Sequence, residues 1–149
     1  MKRTTWRLGD LATVLLVLSA GCGRAEWREA DARLNETAEA ARAGGYAPMS
    51  GPHNTFGAFR DSGTVTWRVH LEAHQPYFIA AACTGGCADF HFSVREPHGE
   101  IVATDTASGV SPRLQFTPPE EGDFQVLVHH GRCNAEQCRF VAQVYLKSQ

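Results

Sequence analysis

From Thr64 onward apolar residues recur at every second position: Val65, Trp67, Val69 and Leu71 alternate with Thr66, Arg68, His70 and Glu72. That period belongs to a half-buried strand, whose successive side chains leave opposite faces of a sheet. Short runs of the same kind continue toward the C-terminus. Tyr77 to Cys83 follows Pro76, and Asp89 to Arg95 sets Phe90, Phe92 and Val94 against Asp89, His91, Ser93 and Arg95. Ile101 to Thr104, Leu114 with Phe116, Asp123 to His129 and Arg139 to Lys147 complete the series. Turn residues separate them, notably Pro97-His98-Gly99 and Pro118-Pro119-Glu120-Glu121-Gly122. About seven short strands with turns between them predict an all-β fold, a small antiparallel β-sandwich over residues 65–149. The strand–helix alternation that a parallel sheet requires is missing from the pattern.

Upstream the period changes. Between Glu26 and Arg42, Trp27, Ala30, Leu34, Ala38 and Ala41 recur at steps of three and four, which predicts a helix ended by Gly44-Gly45. Its apolar stripe is thin and alanine-rich, so residues 22–45 are expected to form a helical tether, with docking on the domain or on a partner as the alternative. Residues 46–64 carry Gly, Pro, Ser and Asn without periodicity and read as a linker, with one short edge strand at Phe56 to Arg60.

The first residues place Lys2, Arg3 and Arg7 before an apolar run from Leu11 to Ala20, then Gly21 and Cys22. The run is shorter than the roughly 20 residues a membrane-spanning helix needs, and it fits an export signal, residues 1–21. Ser19-Ala20-Gly21-Cys22 resembles the lipobox of bacterial lipoproteins, with Leu18 one place earlier than the usual pattern. The resemblance implies that Cys22 becomes the acylated first residue of the mature protein, through palmitate-type chains. Gly23, where an Asp would resemble an inner-membrane retention signal, implies a cell-envelope location at the outer membrane. A single acyl chain, at about 0.8 kcal/mol per buried CH₂, binds marginally, and the two or three chains of such lipoproteins would anchor stably.

Cleavage there would leave 128 of the 149 residues, enough for one domain with a core. Lys2, Arg3, Arg7 and Asp10 would go with the leader, leaving 11 basic against 15 acidic residues of the original 14 and 16. With no basic block to neutralise phosphates, nucleic acid is not an expected partner. Four cysteines would then remain: Cys83, Cys87, Cys133 and Cys138. An even number in an exported chain reads as disulfides. Four cysteines allow three pairings, and the favoured one is local, Cys83 with Cys87 and Cys133 with Cys138, each across a tight polar loop. Closing such a loop is worth about 2 kcal/mol in the chain-entropy treatment. A four-thiolate metal site lacks the usual C-x-x-C spacing, and C-x-x-x-C without a βαβ context is a poor redox motif.

Several short patterns in order carry a second resemblance: Tyr77 to Cys83, Cys87 to Phe92, Gly99 to Asp105 and Phe116 to Val126. Together they resemble the bacterial pre-peptidase C-terminal-type domain, over about Val65 to Leu146. The resemblance implies a small jelly-roll-like sandwich of the kind appended to secreted proteases or carried by exported proteins. Some members bind calcium near an Asp-x-Asp where this chain has Asp89-Phe90-His91. His91 replaces a hard oxygen ligand there, so calcium is not carried over, and Asp89 and Asp105 read as strand-end and turn residues.

His70, His91 and His129 fall on outward positions of three strands and are candidate zinc or copper ligands. Without an HxH or HExxH pattern they read first as scattered surface histidines, and His129 and His130 should point to opposite faces. The G-x-S-x-G elbow of a hydrolase is missing, and Asn35-Glu36-Thr37 reads as a chance glycosylation sequon. Trp67 reads as core and Trp27 as the more exposed aromatic, near the membrane surface or a partner. The combined expectation is a non-catalytic, lipid-anchored envelope protein without a cofactor, binding an envelope protein or an extracellular ligand. The alternative is a metal-binding or secreted-enzyme accessory module, with calcium or zinc at Asp89, His91, Asp105 or surface histidines.

Overall fold

The computed structural model describes residues 22–51, 53–105 and 109–148. The expected leader, residues 1–21, lies outside the described residues. Among the described residues one helix, α1 (Cys22–Ala43), precedes nine strands. These are β1 (Tyr46–Pro48), β2 (Asn54–Phe59), β3 (Gly63–Leu71), β4 (Tyr77–Cys83) and β5 (His91–Arg95), followed by β6 (Ile101–Thr104), β7 (Arg113–Phe116), β8 (Gly122–His130) and β9 (Cys138–Lys147). They form two antiparallel sheets stacked as a sandwich. Sheet A runs β1-β9-β4-β7, with β2 continuing the β1 edge along β9, and sheet B runs β3-β8-β5-β6.

Alternation decides which side chains meet between the sheets. Trp67, Val69 and Leu71 of β3 face Phe124, Val126 and Val128 of β8 along the sheet and the inner residues of sheet A across it. From sheet A come Tyr77, Ile79, Ala81 and Cys83 of β4, and Phe140, Ala142 and Val144 of β9. Phe116 meets Phe124 edge-to-face and Phe90 tilts against Phe140, with ring centroids 5.5 and 5.9 Å apart, and Phe92 is buried in the same core. Each such ring withdrawn from water contributes about 1.5–3 kcal/mol, so this aromatic layer supplies much of the driving force.

Strand β4 is buried along its whole length because its second face is also covered. Phe78, Ala80 and Ala82 point away from the sandwich and meet α1. Ala38 and Ala41 pack against Phe78, Ala80, Tyr46 and Tyr145, and Ala30 packs against Ala82 and Val141. Ala30 and Ala41 are fully buried. The helix is therefore docked on sheet A, and this corrects the expectation of a free tether. The alanine stripe that looked too thin to pack is matched by alanines on the strand beneath it. Small residues on both surfaces let the two backbones approach closely. Gly45, at φ +80°, then reverses the chain into β1.

The stretch expected as a linker also differs. Tyr46–Pro48 pairs with Tyr145–Lys147, and Asn54–Phe59 pairs with Cys138–Gln143. Between the two strands the chain leaves β9, and the Gln143 side-chain amide donates to the carbonyls of Met49 and His53 at 2.8 and 3.2 Å. One β9 side chain thus satisfies the backbone that the interruption frees.

Overpacking the helix contact tests the docking. Ala80→Leu or Ala30→Leu should lower stability by about 1–3 kcal/mol in urea or guanidinium unfolding, since the interface has no room for the added carbons. An unchanged midpoint would mean that α1 is not seated on sheet A in solution.

Candidate functional site

One end of the sandwich collects the end of β4, the starts of β3, β5 and β9, and the end of β8. Cys83 is bonded to Cys87 and Cys133 to Cys138, with Cα atoms 6.2 and 5.6 Å apart. All four sulfurs are thereby committed, which replaces the four-thiolate metal reading. The two closed loops rest on each other. Asn134 N donates to Gly86 O at 2.7 Å, and Thr84 N to Arg139 O at 3.0 Å. Gly86 lies so close to Ala135 that a Cβ on it would stand 2.8 Å from the alanine methyl. A side chain there would push the loops apart.

The N-terminal half of α1 is fastened to the same end. Glu29 Oε1 accepts from Gly85 N and from Arg33 Nη2, each at 2.9 Å. Trp27 meets Phe56 edge-to-face with ring centroids 5.5 Å apart, and the Arg139 guanidinium lies 5.0 Å from the centre of the Trp27 ring. Phe56 is 72% exposed, the most exposed large apolar side chain among the described residues. A groove of about 240 Å³ runs beside it between α1 and β2, lined by Asp31, Leu34, Asn54, Phe56 and Val141. Trp67 is in the core, as its strand alternation implies.

The histidines divide by register. His91 and His129 are directly opposed on β5 and β8, and their rings stack with centroids 4.9 Å apart. His129 Nδ1 is 3.1 Å from Thr64 Oγ1, and its Nε2 is 2.9 Å from Ser93 Oγ. A neutral imidazole fits this setting, donating to one hydroxyl and accepting from the other. Burial, reinforced by the neighbouring His91, His130 and Arg95, holds the His129 pKa below its ordinary value. His130 points the other way, buried against Phe59 with ring centroids 3.9 Å apart. The Ser93–His129 contact has the geometry of a nucleophile–base pair, but Nδ1 meets a threonine hydroxyl where a triad holds a carboxylate. Ser93 is itself buried, at 5% exposure.

His70 lies at the far end of β3, about 20 Å of strand from Thr64. Protonated, it donates from Nδ1 to Asp123 at 2.9 Å and from Nε2 to Glu121 at 3.2 Å. These bonds, that to Asp123 foremost, raise its pKa. The two carboxylates sit on opposite sides of the ring and do not converge on a common point. Asp89 is an exposed turn residue in the left-handed region, at φ +49°, and its carbonyl lies 3.1 Å from His91 Nδ1. Asp105 is buried past the end of β6, where its N–H donates to Phe92 O at 2.9 Å. Among the described residues no three His, Cys, Asp or Glu side chains are grouped to hold a metal ion.

The residues that sequence reasoning passed over are Thr64, Ser93, Phe56, Arg139 and Glu29. Only the β5–β8 and β3–β8 registers bring the first two to His129. Phe56 was hidden in a Gly- and Pro-rich stretch that did not read as a full strand.

Neither a known protein family nor a curated protein matches the sequence. Among solved structures, the chain is similar to PliG of Aeromonas hydrophila, a periplasmic inhibitor of g-type lysozyme. Identity is 17% and the TM-score 0.49, over 68% of this chain and 93% of that one. It is also similar to the pre-peptidase C-terminal domain of a Bacillus anthracis collagenase, at 14% identity and TM-score 0.48, over 61% and 88% of the two chains. At these values the likeness transfers no residue, ligand or partner.

The two histidine settings predict opposite titrations. The folded pKa of His70 is raised above 6.5, so its contribution to stability is present below that pH and lost as pH rises through the folded value. That of His129 is lowered below 6.5, so its neutral form supports the fold above that pH, and this support is lost as pH falls through the folded value. Imidazole resonances followed by NMR, assigned with His70→Asn and His129→Asn, should therefore show midpoints on either side of 6.5. Coincident midpoints would show that one of these hydrogen-bonded settings is absent in solution.

Proposed function

We propose that this chain is a non-catalytic, lipid-anchored protein of the cell envelope, at the outer membrane. In this reading Cys22 carries the lipid, and the sandwich is a binding or structural interaction module for another envelope component or an extracellular ligand. The observation that carries the proposal is the sidedness of the domain. Helix α1 covers the outer face of sheet A and runs with its N-terminal end toward the disulfide-closed loops. A lipid on Cys22 would hold the domain by that end. The outer face of sheet B stays open, with Thr64, Thr66, Arg68, His70 and Asp123 exposed and Arg95 and Gln125 half-buried. This broad, polar, strand-built surface suits a macromolecular partner, whereas a small-molecule enzyme would concentrate its groups in a deep cleft. Two disulfides are at home in the oxidising compartment that the reading requires.

The experiment has two arms. Mass spectrometry of the N-terminal peptide from bacterial membranes should show acylated Cys22, and Cys22→Ser should move the protein to the soluble fraction. An unmodified Cys22 would remove the anchor from the proposal. Photo-crosslinking from Thr66 or Arg68 in intact envelopes should yield a discrete adduct, lost in the Arg68→Glu/Arg95→Glu double variant. A pattern that survives this charge reversal would remove the sheet B face as the binding surface.

A further inference from the structure

We infer that the cluster of Trp27, Phe56 and Arg139 is a membrane-contact patch, seated in the interfacial layer of the bilayer that holds Cys22. The inference rests on acylation of Cys22 and adds to it a defined orientation of the domain.

The docked helix supplies the main argument. A stalk would let the domain stand away from the lipid, but α1 is bound to the sandwich from its first turns. Trp27 touches Phe56, Glu29 holds Gly85 N, and Ala30 is fully buried. Trp27 follows Cys22 by five residues within one helix, which is about 8 Å along the axis at 1.5 Å per residue. The polar layer on each side of a bilayer is about 5–8 Å deep. An acyl group on Cys22 therefore brings Trp27 to the surface of that layer without further rearrangement.

The side chains at this place suit that environment. Phe56 is 72% exposed on a short edge strand and, with the Trp27 ring against it, forms a small apolar surface open to solvent. Trp27 presents an amphipathic ring beside it, the residue type enriched at membrane–water interfaces. Arg139 lies over that ring with its guanidinium 5.0 Å from the ring centre, which adds a cation to the aromatic cluster. Charge does not oppose the contact: over residues 22–33 Arg24, Arg28 and Arg33 balance Glu26, Glu29 and Asp31. The acyl chains supply the affinity and the patch supplies the tilt. With this end down, His70 and the loops at the far end of the sandwich point away from the membrane.

The test uses the acylated protein in vesicles of phosphatidylethanolamine and phosphatidylglycerol carrying brominated acyl chains. Trp6 lies in the expected leader and Trp67 is buried, so contact quenching reports on Trp27. Bromines near the headgroup end should quench more strongly than bromines near the terminal methyl. The quenchable component should be lost in Trp27→Phe and reduced in Phe56→Ala, with circular dichroism confirming the fold of both variants. The N-terminal peptide of the same preparation is weighed first, which separates the two claims. Unacylated Cys22 overturns the anchor and this inference with it. Acylated Cys22 with unquenched Trp27 leaves the anchor standing and overturns the patch. A soluble Cys22→Ser form that sediments as a dimer, and as a monomer after Phe56→Ala, assigns the patch to a second copy and likewise overturns it.

Discussion

The contact on which the rest of this structure depends is the meeting of two alanine surfaces, Ala30, Ala38 and Ala41 of α1 against Ala80 and Ala82 of β4. Alanine contributes little area, so the contact is not strong residue by residue. Its value lies in proximity. With no bulky side chain between them, helix and sheet approach until Phe78, Tyr145 and Tyr46 close around the seam. The centre of sheet A then becomes a layer buried on both faces, and β4 can consist of apolar residues throughout. Without the helix, Phe78, Val141 and Tyr145 would form an exposed apolar face of the sort that drives association.

Docking also fixes the loops. Glu29 is carried by α1 to the backbone of Gly85, inside the Cys83–Cys87 loop, and that loop is hydrogen-bonded to the neighbouring Cys133–Cys138 loop through Gly86. The disulfides restrain each loop, and the helix restrains the pair. Small sandwiches commonly leave such end loops mobile and bind through them. Here they are cross-linked, packed on each other and tied to a helix, which favours the open sheet B face as the place where a partner meets this domain.

The fold was legible by period two where one face is wet, and by an unbroken apolar run after Pro76 in β4, which is buried on both faces. In β3 every second residue is exposed, so period two stands out, and β5 and β6 are bounded by clear turns. The helix was legible as a helix, but its docking only as the alternative to a stalk, because its stripe is judged by size and its partner alanines lie about forty to fifty residues away. In β2 the inward positions are Thr55, Gly57 and Phe59, and the glycine under the Phe140 ring erases the alternation. The His91–His129 stack could not be read at all. Each residue was visible as an outward histidine, but their meeting depends on a register set by the core residues on the opposite face of the same strands.

That register has a chemical consequence. The stacked pair and the hydroxyls of Thr64 and Ser93 tie β3, β8 and β5 together on the solvent side, where the core cannot. Protonation of His129 is disfavoured in this setting, first because burial penalises the charged ring and then because His91, His130 and Arg95 lie close to it. His70, at the other end of the same sheet, behaves in the opposite sense, since protonation strengthens its bonds to Asp123 and Glu121. A fall in pH therefore loosens the end of sheet B nearest Cys22 and tightens the end farthest from it. Any partner that spans the whole face meets two regions with opposite responses to acid, whereas one confined to either end meets a single response. The pH dependence of binding thus locates the footprint along the strands.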